Sequence, residues 1–237
     1  MPPTDLQHSD YRIRKLIGTL GLFLPIVLPL AAWDFYASIS HYYYSTLPSL
    51  IFIIILSAFG LFLLSYKGYK IDKATETISD DFLTNIGGLA ALIVVFIPTS
   101  CVGSANSIID AMCNVCELPL FGHNKDWANT VHLVSAGVFI LCMGWMSRYK
   151  FTRGSDDGNH KLYKWCGNAV FISVALILVC IAIEHFITEA FIIHDYYVYI
   201  FETTAVIPFG ISWLVKGKAI DDVKAMGRRM FGGGETK

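Results

Sequence analysis

Charge is what this chain has least of. Of its 237 residues only 16% are Asp, Glu, Lys or Arg, against roughly 25% in ordinary soluble domains, while 54% are hydrophobic. That ratio excludes a soluble globular domain and leaves an integral membrane protein. Also missing are a phosphate-binding Gly-rich loop, a G-x-G-x-x-G turn, an H-E-x-x-H helix and an N-x-[ST] sequon. No basic stripe runs along any segment, so nucleic acid is not among the expected partners. The apolar runs do not alternate with polar residues, which excludes a membrane β-barrel.

What remains is a series of long apolar runs, at 16–33, 47–66, 84–101, 128–147, 165–187 and 198–217. Each is about as long as a helix needs to cross a hydrocarbon core of roughly 30 Å at 1.5 Å per residue. The expected fold is all-α: a bundle of six transmembrane helices over residues 1–217, followed by a basic tail at 218–237. The first run is too long for the core of a signal peptide, and no A-x-A-like site follows it, so it is read as a span.

Of the 18 Lys and Arg residues, all but Lys125 lie before the first run, at or beyond the end of the last, or in the second and fourth connections. The positive-inside rule then puts both termini in the cytoplasm, with the cell membrane as the expected location. In the tail, Ile220, Val223, Met226 and Met230 share one helical side, suited to lying along an anionic inner leaflet.

Ionisable residues inside spans are costly and therefore informative. His132 falls near the outer start of the fourth span, Glu184 and His185 near the outer end of the fifth, and Glu202 near the outer start of the sixth. All four share one depth. The first outer connector, "WDFYASISHYYYS", adds Asp34 and His41. These six residues form a candidate polar pocket open to the outside, fit for a lipid headgroup or for acid/base chemistry on one. The competing reading is that they satisfy one another and fix helix packing, while the tyrosines of the connector form an interfacial aromatic belt. Adjacent Ser40 and His41 point to opposite sides of an extended chain and make a poor hydrolase pair. Zinc is a minor alternative: His132 with Glu184 or His185 and Glu202 could supply ligands, without any tight motif, and no other cofactor is expected.

The long outer loop carries Cys101, Cys113 and Cys116. On an oxidising side two of them should pair, Cys101 with Cys113 or with Cys116; a Cys3His zinc site with His123 is the disfavoured alternative. Gly87, Ala91, Ser135, Ala136 and Gly137 would let the third and fourth helices approach closely. Pro25, Pro29, Pro98 and Pro208 lie within spans and free backbone carbonyls that can face a cavity.

The segments "SISHYY" after the first span, "GLFLLSYKGY" closing the second, "HLVSAGVFILCMGW" in the fourth and "FETTAVIPFGISWLVKG" in the sixth resemble the Frag/DRAM/Sfk group of six-span proteins, its uncharacterised microbial members above all. That resemblance implies a connection to membrane lipids and hands over no catalytic residues. Where the autophagy modulators of the group tend to carry an acid after the Ile-Ser pair, this chain has His41.

The expected function is therefore binding, or help in remodelling, of membrane lipid through the outward pocket. The alternative is a non-enzymatic scaffold or regulator whose inner face recruits a protein partner or a second copy of the chain. A channel or proton-coupled transporter ranks last, because no charge lies at mid-membrane.

Overall fold

Each apolar run becomes a helix, and the boundaries move where caps and prolines dictate. The computed structural model describes residues 8–69, 71, 76–101, 118–153, 158–186, 196–219 and 221–222. Among them no strand occurs. The helices are α1 (His8–Ala32), α2 (Thr46–Ser65), α3 (Asp80–Phe96), α4 (Asp126–Trp145), α5 (His160–Phe186) and α6 (Tyr197–Lys216). A 3-10 turn (Ser40–Tyr44) precedes α2, and a π-helical turn (Met146–Lys150) continues α4.

Five of these, α3 being the exception, are long and apolar enough to cross a membrane. The expected third span, 84–101, starts and ends too late. Ser79 caps α3 by accepting the Phe82 N–H at 3.0 Å, and Asp80 and Asp81 sit in the first turn, where the helix dipole favours acids. Pro98 then drives Ile97 out of the α region (φ −125°, ψ 81°), so the helix stops after 17 residues. At the other end of the sequence α1 starts well before residue 16, because its basic stretch is itself helical.

The helices form a closed ring. Each packs on its neighbour in sequence, and α6 returns to pack on α1. Glycine pairs draw three of the seams tight: Gly18 with Gly210 between α1 and α6, Gly60 with Gly88 between α2 and α3, and Gly144 with Gly167 between α4 and α5. A Cβ at Gly210 would sit 2.9 Å from the Gly18 carbonyl. In lipid, where apolar surface gains little by association, such close approach is how helices hold together. Gly87 likewise lets α3 meet Met143 and Cys142 of α4, as its sequence context predicts, whereas Gly137 faces open space and contributes nothing there. Phe59, Phe139 and Phe209 meet one another on the ring axis at 5.7 to 6.4 Å between centroids, so the centre is packed with side chains. Leu30, Ile54, Leu61, Leu89, Val134 and Leu178 point outward and are more than half exposed, the surface a membrane-embedded protein offers to lipid.

The end of the ring that carries the termini holds an interior charge cluster. Arg14, fully buried, donates Nε and Nη2 to the Tyr66 hydroxyl (3.0 and 2.5 Å) and Nη1 to the Lys216 carbonyl (3.4 Å). The rings of Tyr11, Tyr66, Tyr69 and Phe151 surround its guanidinium at 5.3 to 5.8 Å. Lys216 donates to the Phe151 carbonyl at 2.7 Å and lies over Tyr69 and Tyr163. Lys150 reaches Glu76 at 3.1 Å, Asp80 at 3.7 Å and the Ile78 carbonyl, while Arg153 pairs with Glu76 and, at 2.8 Å, with Asp80. Closing the ring at this end, Lys15 pairs with Asp222. Ile220, Val223, Met226 and Met230 of the expected amphipathic tail lie outside the described residues.

Candidate functional site

The far end of the ring is closed by the connector between α1 and α2, which folds inward instead of lying at the membrane surface. Residues 36–40 and 42–44 are buried, and Tyr42, Tyr43 and Tyr44 are at most 1% exposed. This overturns the expectation of a tyrosine belt. The tyrosines work as ties: Tyr42 donates to the Asp34 carbonyl at 3.0 Å and stacks on Tyr36, the Tyr43 hydroxyl accepts from the Phe121 N–H at 3.0 Å, and Tyr44 donates to the Thr99 carbonyl at 2.5 Å. Burial pushes the Tyr44 phenol up to about 12, so it stays a donor. Trp33, 92% exposed, with Phe35 and Trp127 are instead the aromatics that this end turns outward.

Inside this closure the connector's backbone and hydroxyls meet the two deep polar residues of α4 and α6. Glu202 accepts the Ile39 N–H at 2.6 Å. His132, 1% exposed, lies 2.8 Å from the Ile97 carbonyl through Nδ1 and 2.9 Å from the Ser40 hydroxyl through Nε2. His41 lies 2.9 Å from the Ser38 hydroxyl through Nδ1; burial, with a smaller contribution from His132 nearby, holds its pKa down at about 4, so it is neutral at ordinary pH.

His132, Glu202 and His41 therefore gather around three consecutive connector residues, Ser38, Ile39 and Ser40. Asp34 does not join them. It is exposed, accepts the Phe35 N–H at 2.8 Å, and lines a separate open groove of about 470 Å³ with Pro25, Pro29, Trp33, Phe35 and Tyr199. Tyr199 partitions the two regions, donating its N–H to the Ala37 carbonyl (3.0 Å) and its hydroxyl to the Pro25 carbonyl (2.6 Å). Glu184 and His185 fall in the last turn of α5, and their side chains are outside the described residues. Cys101 is disulfide-bonded and fully buried; Cys113 and Cys116 lie outside the described residues. His123 uses Nε2 on the Pro98 carbonyl (2.6 Å) and Nδ1 on the Lys125 N–H (3.1 Å), and His132 engages both its nitrogens as well, so in this arrangement neither ring offers zinc an open lone pair.

Ser38, Thr99 and Asn129 belong to the site and were not predicted to; Ser40 was weighed only beside His41, whereas its partner is His132. Asn129 Oδ1 accepts from the Thr99 hydroxyl and the Ser100 N–H, both at 3.0 Å, and so fixes the extended segment after α3. One signal for this was present. Pro98 ends α3 and leaves the carbonyls of Ile97, Pro98 and Thr99 without helical partners; His132, His123 and Tyr44 are the side chains that take them up.

Fold and site together define a membrane-embedded helical ring, packed along its axis, with ion pairs inside at the end where α1 begins and α6 stops and with hydroxyls, imidazoles, backbone groups and the Glu202 carboxyl inside at the other. No family model, no curated protein and no solved structure matches the chain.

Proposed function

We propose that the protein binds membrane lipid at the end remote from its termini, with both termini cytoplasmic and α3 serving as the sixth span. The observation that carries this is the 470 Å³ groove beside the buried polar cluster, a volume in the range of small-molecule sites. Its walls, Pro25, Ile26, Pro29 and Leu30, suit acyl chain. Its upper rim sets the Asp34 carboxylate beside Trp33 and Phe35, and Lys125 is the one basic residue in the connections at that end. An acid with aromatic rings and little positive charge nearby selects an amine headgroup over an anionic one. Trp33 also adopts a left-handed backbone (φ 54°) at the end of α1, where glycine is the usual residue, so the indole is held outward against a conformational cost. The resemblance to the Frag/DRAM/Sfk group points to lipids as well.

Native mass spectrometry from mild detergent tests this. The wild type should retain an amine-headgroup phospholipid in preference to an anionic one, and Asp34→Asn with Trp33→Ala should lose it. Equal retention of anionic and amine lipids, or no lipid on the wild type, would remove the reading. A non-enzymatic scaffold is the second reading, favoured by the hydrogen bonds that His132 and Glu202 already make within the chain. It predicts that His132→Ala/Glu202→Ala lowers thermal stability while the bound lipid is unchanged.

A further inference from the structure

We infer that Ser40 and His132 form a nucleophile and general-base pair that transfers an acyl group from an ester-linked membrane lipid. The inference takes its substrate class from the lipid-binding reading above and places the reaction in a second cavity, separate from the groove at Asp34. Its first support is the direction of the hydrogen bonds. The Ile97 carbonyl can only accept, so His132 Nδ1 carries the proton and donates to it at 2.8 Å. In the neutral ring Nε2 then has only its lone pair, and the Ser40 hydroxyl 2.9 Å away donates to it. A base whose tautomer is fixed by a third group, within hydrogen-bond reach of a hydroxyl, is the arrangement that activates serine.

The second support is where that hydroxyl sits. Ser40 lines a cavity of about 40 Å³ walled by Leu24, Phe52, Leu56, Val94, Phe139 and Val206. The space beside Ser40 takes a group the size of a water or a carbonyl, so the acyl carbonyl is the part of an ester that would occupy it. Glu202 lines the same cavity and grips the Ile39 N–H, one residue before the nucleophile, which makes it a positioning residue for the turn. The neighbouring Ser38–His41 pair has a similar separation, yet neither residue lines this cavity.

In the reaction, Ser40 Oγ adds to the acyl carbonyl carbon as its proton moves to His132 Nε2. The ester C–O bond breaks, His132 returns the proton to the departing alcohol oxygen, and an acyl-Ser40 ester remains. Water, or the hydroxyl of a second lipid, attacks that ester with His132 again taking the proton, and Ser40 is regenerated. No oxidant or cofactor is required.

A fluorophosphonate ester probe reads the nucleophile directly on the full chain in mild detergent, with the modified peptide identified by mass. The expected result is one adduct, on Ser40. Ser40→Ala should abolish it, and His132→Ala should slow its formation about 100-fold or more. Ser40→Ala removes one hydroxyl and leaves the His132–Ile97 bond in place, so it decides the matter should His132→Ala fail to fold. An unmodified wild type, an adduct on Ser38, or a rate unchanged in a folded His132→Ala protein would overturn the pair. Native mass spectrometry of the same samples separates the two claims: bound lipid with inert Ser40 discards the chemistry alone, and reactive Ser40 without bound lipid discards the lipid as its substrate.

Discussion

The two ends of the ring solve the problem of interior polarity in opposite ways. At the end with the termini, Arg14, Lys150, Arg153 and Lys216 are set against Glu76 and Asp80, and the surplus positive charge rests on the rings of Tyr11, Tyr66, Tyr69, Tyr163 and Phe151. At the far end hydroxyls, imidazoles and backbone groups predominate, Glu202 is the carboxylate among them, and a small cavity borders them. The difference teaches which polarity is structural. Full charges are tied down by several partners each, whereas the far end keeps one hydroxyl beside a base and next to open space. Burying unpaired charge costs several kcal/mol, so the charges of the first end are closed in by partners, while the hydroxyls of the second carry no such cost and can border a cavity.

The sharpest way to break the comparison is Asp80→Ala. Asp80 is 1% exposed and faces Lys150 and Arg153; removing it leaves two cations without this counter-charge and should cost about 3 to 5 kcal/mol. A collapse of the melting temperature in detergent is expected, and an unchanged one would show that the cluster is not structural. His132→Ala should cost less, on the order of 1 to 3 kcal/mol, because it leaves a buried carbonyl and a hydroxyl unpaired. Proteolysis should then become faster in the connector before it does so at the other end.

Acid should separate the ends further. His41 titrates near 4 in the folded protein and near 6.5 when unfolded, so the unfolded chain binds the extra proton first. The stability that neutral His41 provides is full above pH 6.5 and drains away as pH falls toward 4. Melting curves between pH 7 and 4.5 should steepen in that window for the wild type and flatten in His41→Gln. The smallest effect is expected from Lys216→Met, where removing a buried cation of the surplus offsets the loss of the donor to the Phe151 carbonyl; the change in stability read from melting curves should stay within about 1 kcal/mol.

Much of the fold was legible because membrane helices announce themselves by length. Ser79 and Pro98, both visible in the sequence, account for the shifted α3 once the cap is considered together with the apolar run. The depth of His132 and Glu202 was readable from helix position alone. Their meeting at Ile39 and Ser40 was not, because "SISHYYY" has no period that says whether it lies on the surface or turns inward; its burial comes from ties to Thr99, Phe121 and Tyr199, all distant in sequence. The charge cluster was illegible for another reason. Arg14, Lys150 and Lys216 also satisfy the positive-inside pattern, and a residue that explains topology gives no hint that it is interior as well.

The seam between α1 and α6 has a consequence for the birth of the protein. Arg14 bonds a carbonyl 202 residues later in the chain, so α1 depends on a helix made long after it. Until α6 is made, the glycine face of Gly18 and Gly21 lacks the residues it packs on and the Arg14 guanidinium lacks one of its acceptors. A chain cut short before residue 197 would keep that face uncovered, so the ring closes only when its two sequence-distant edges are both present.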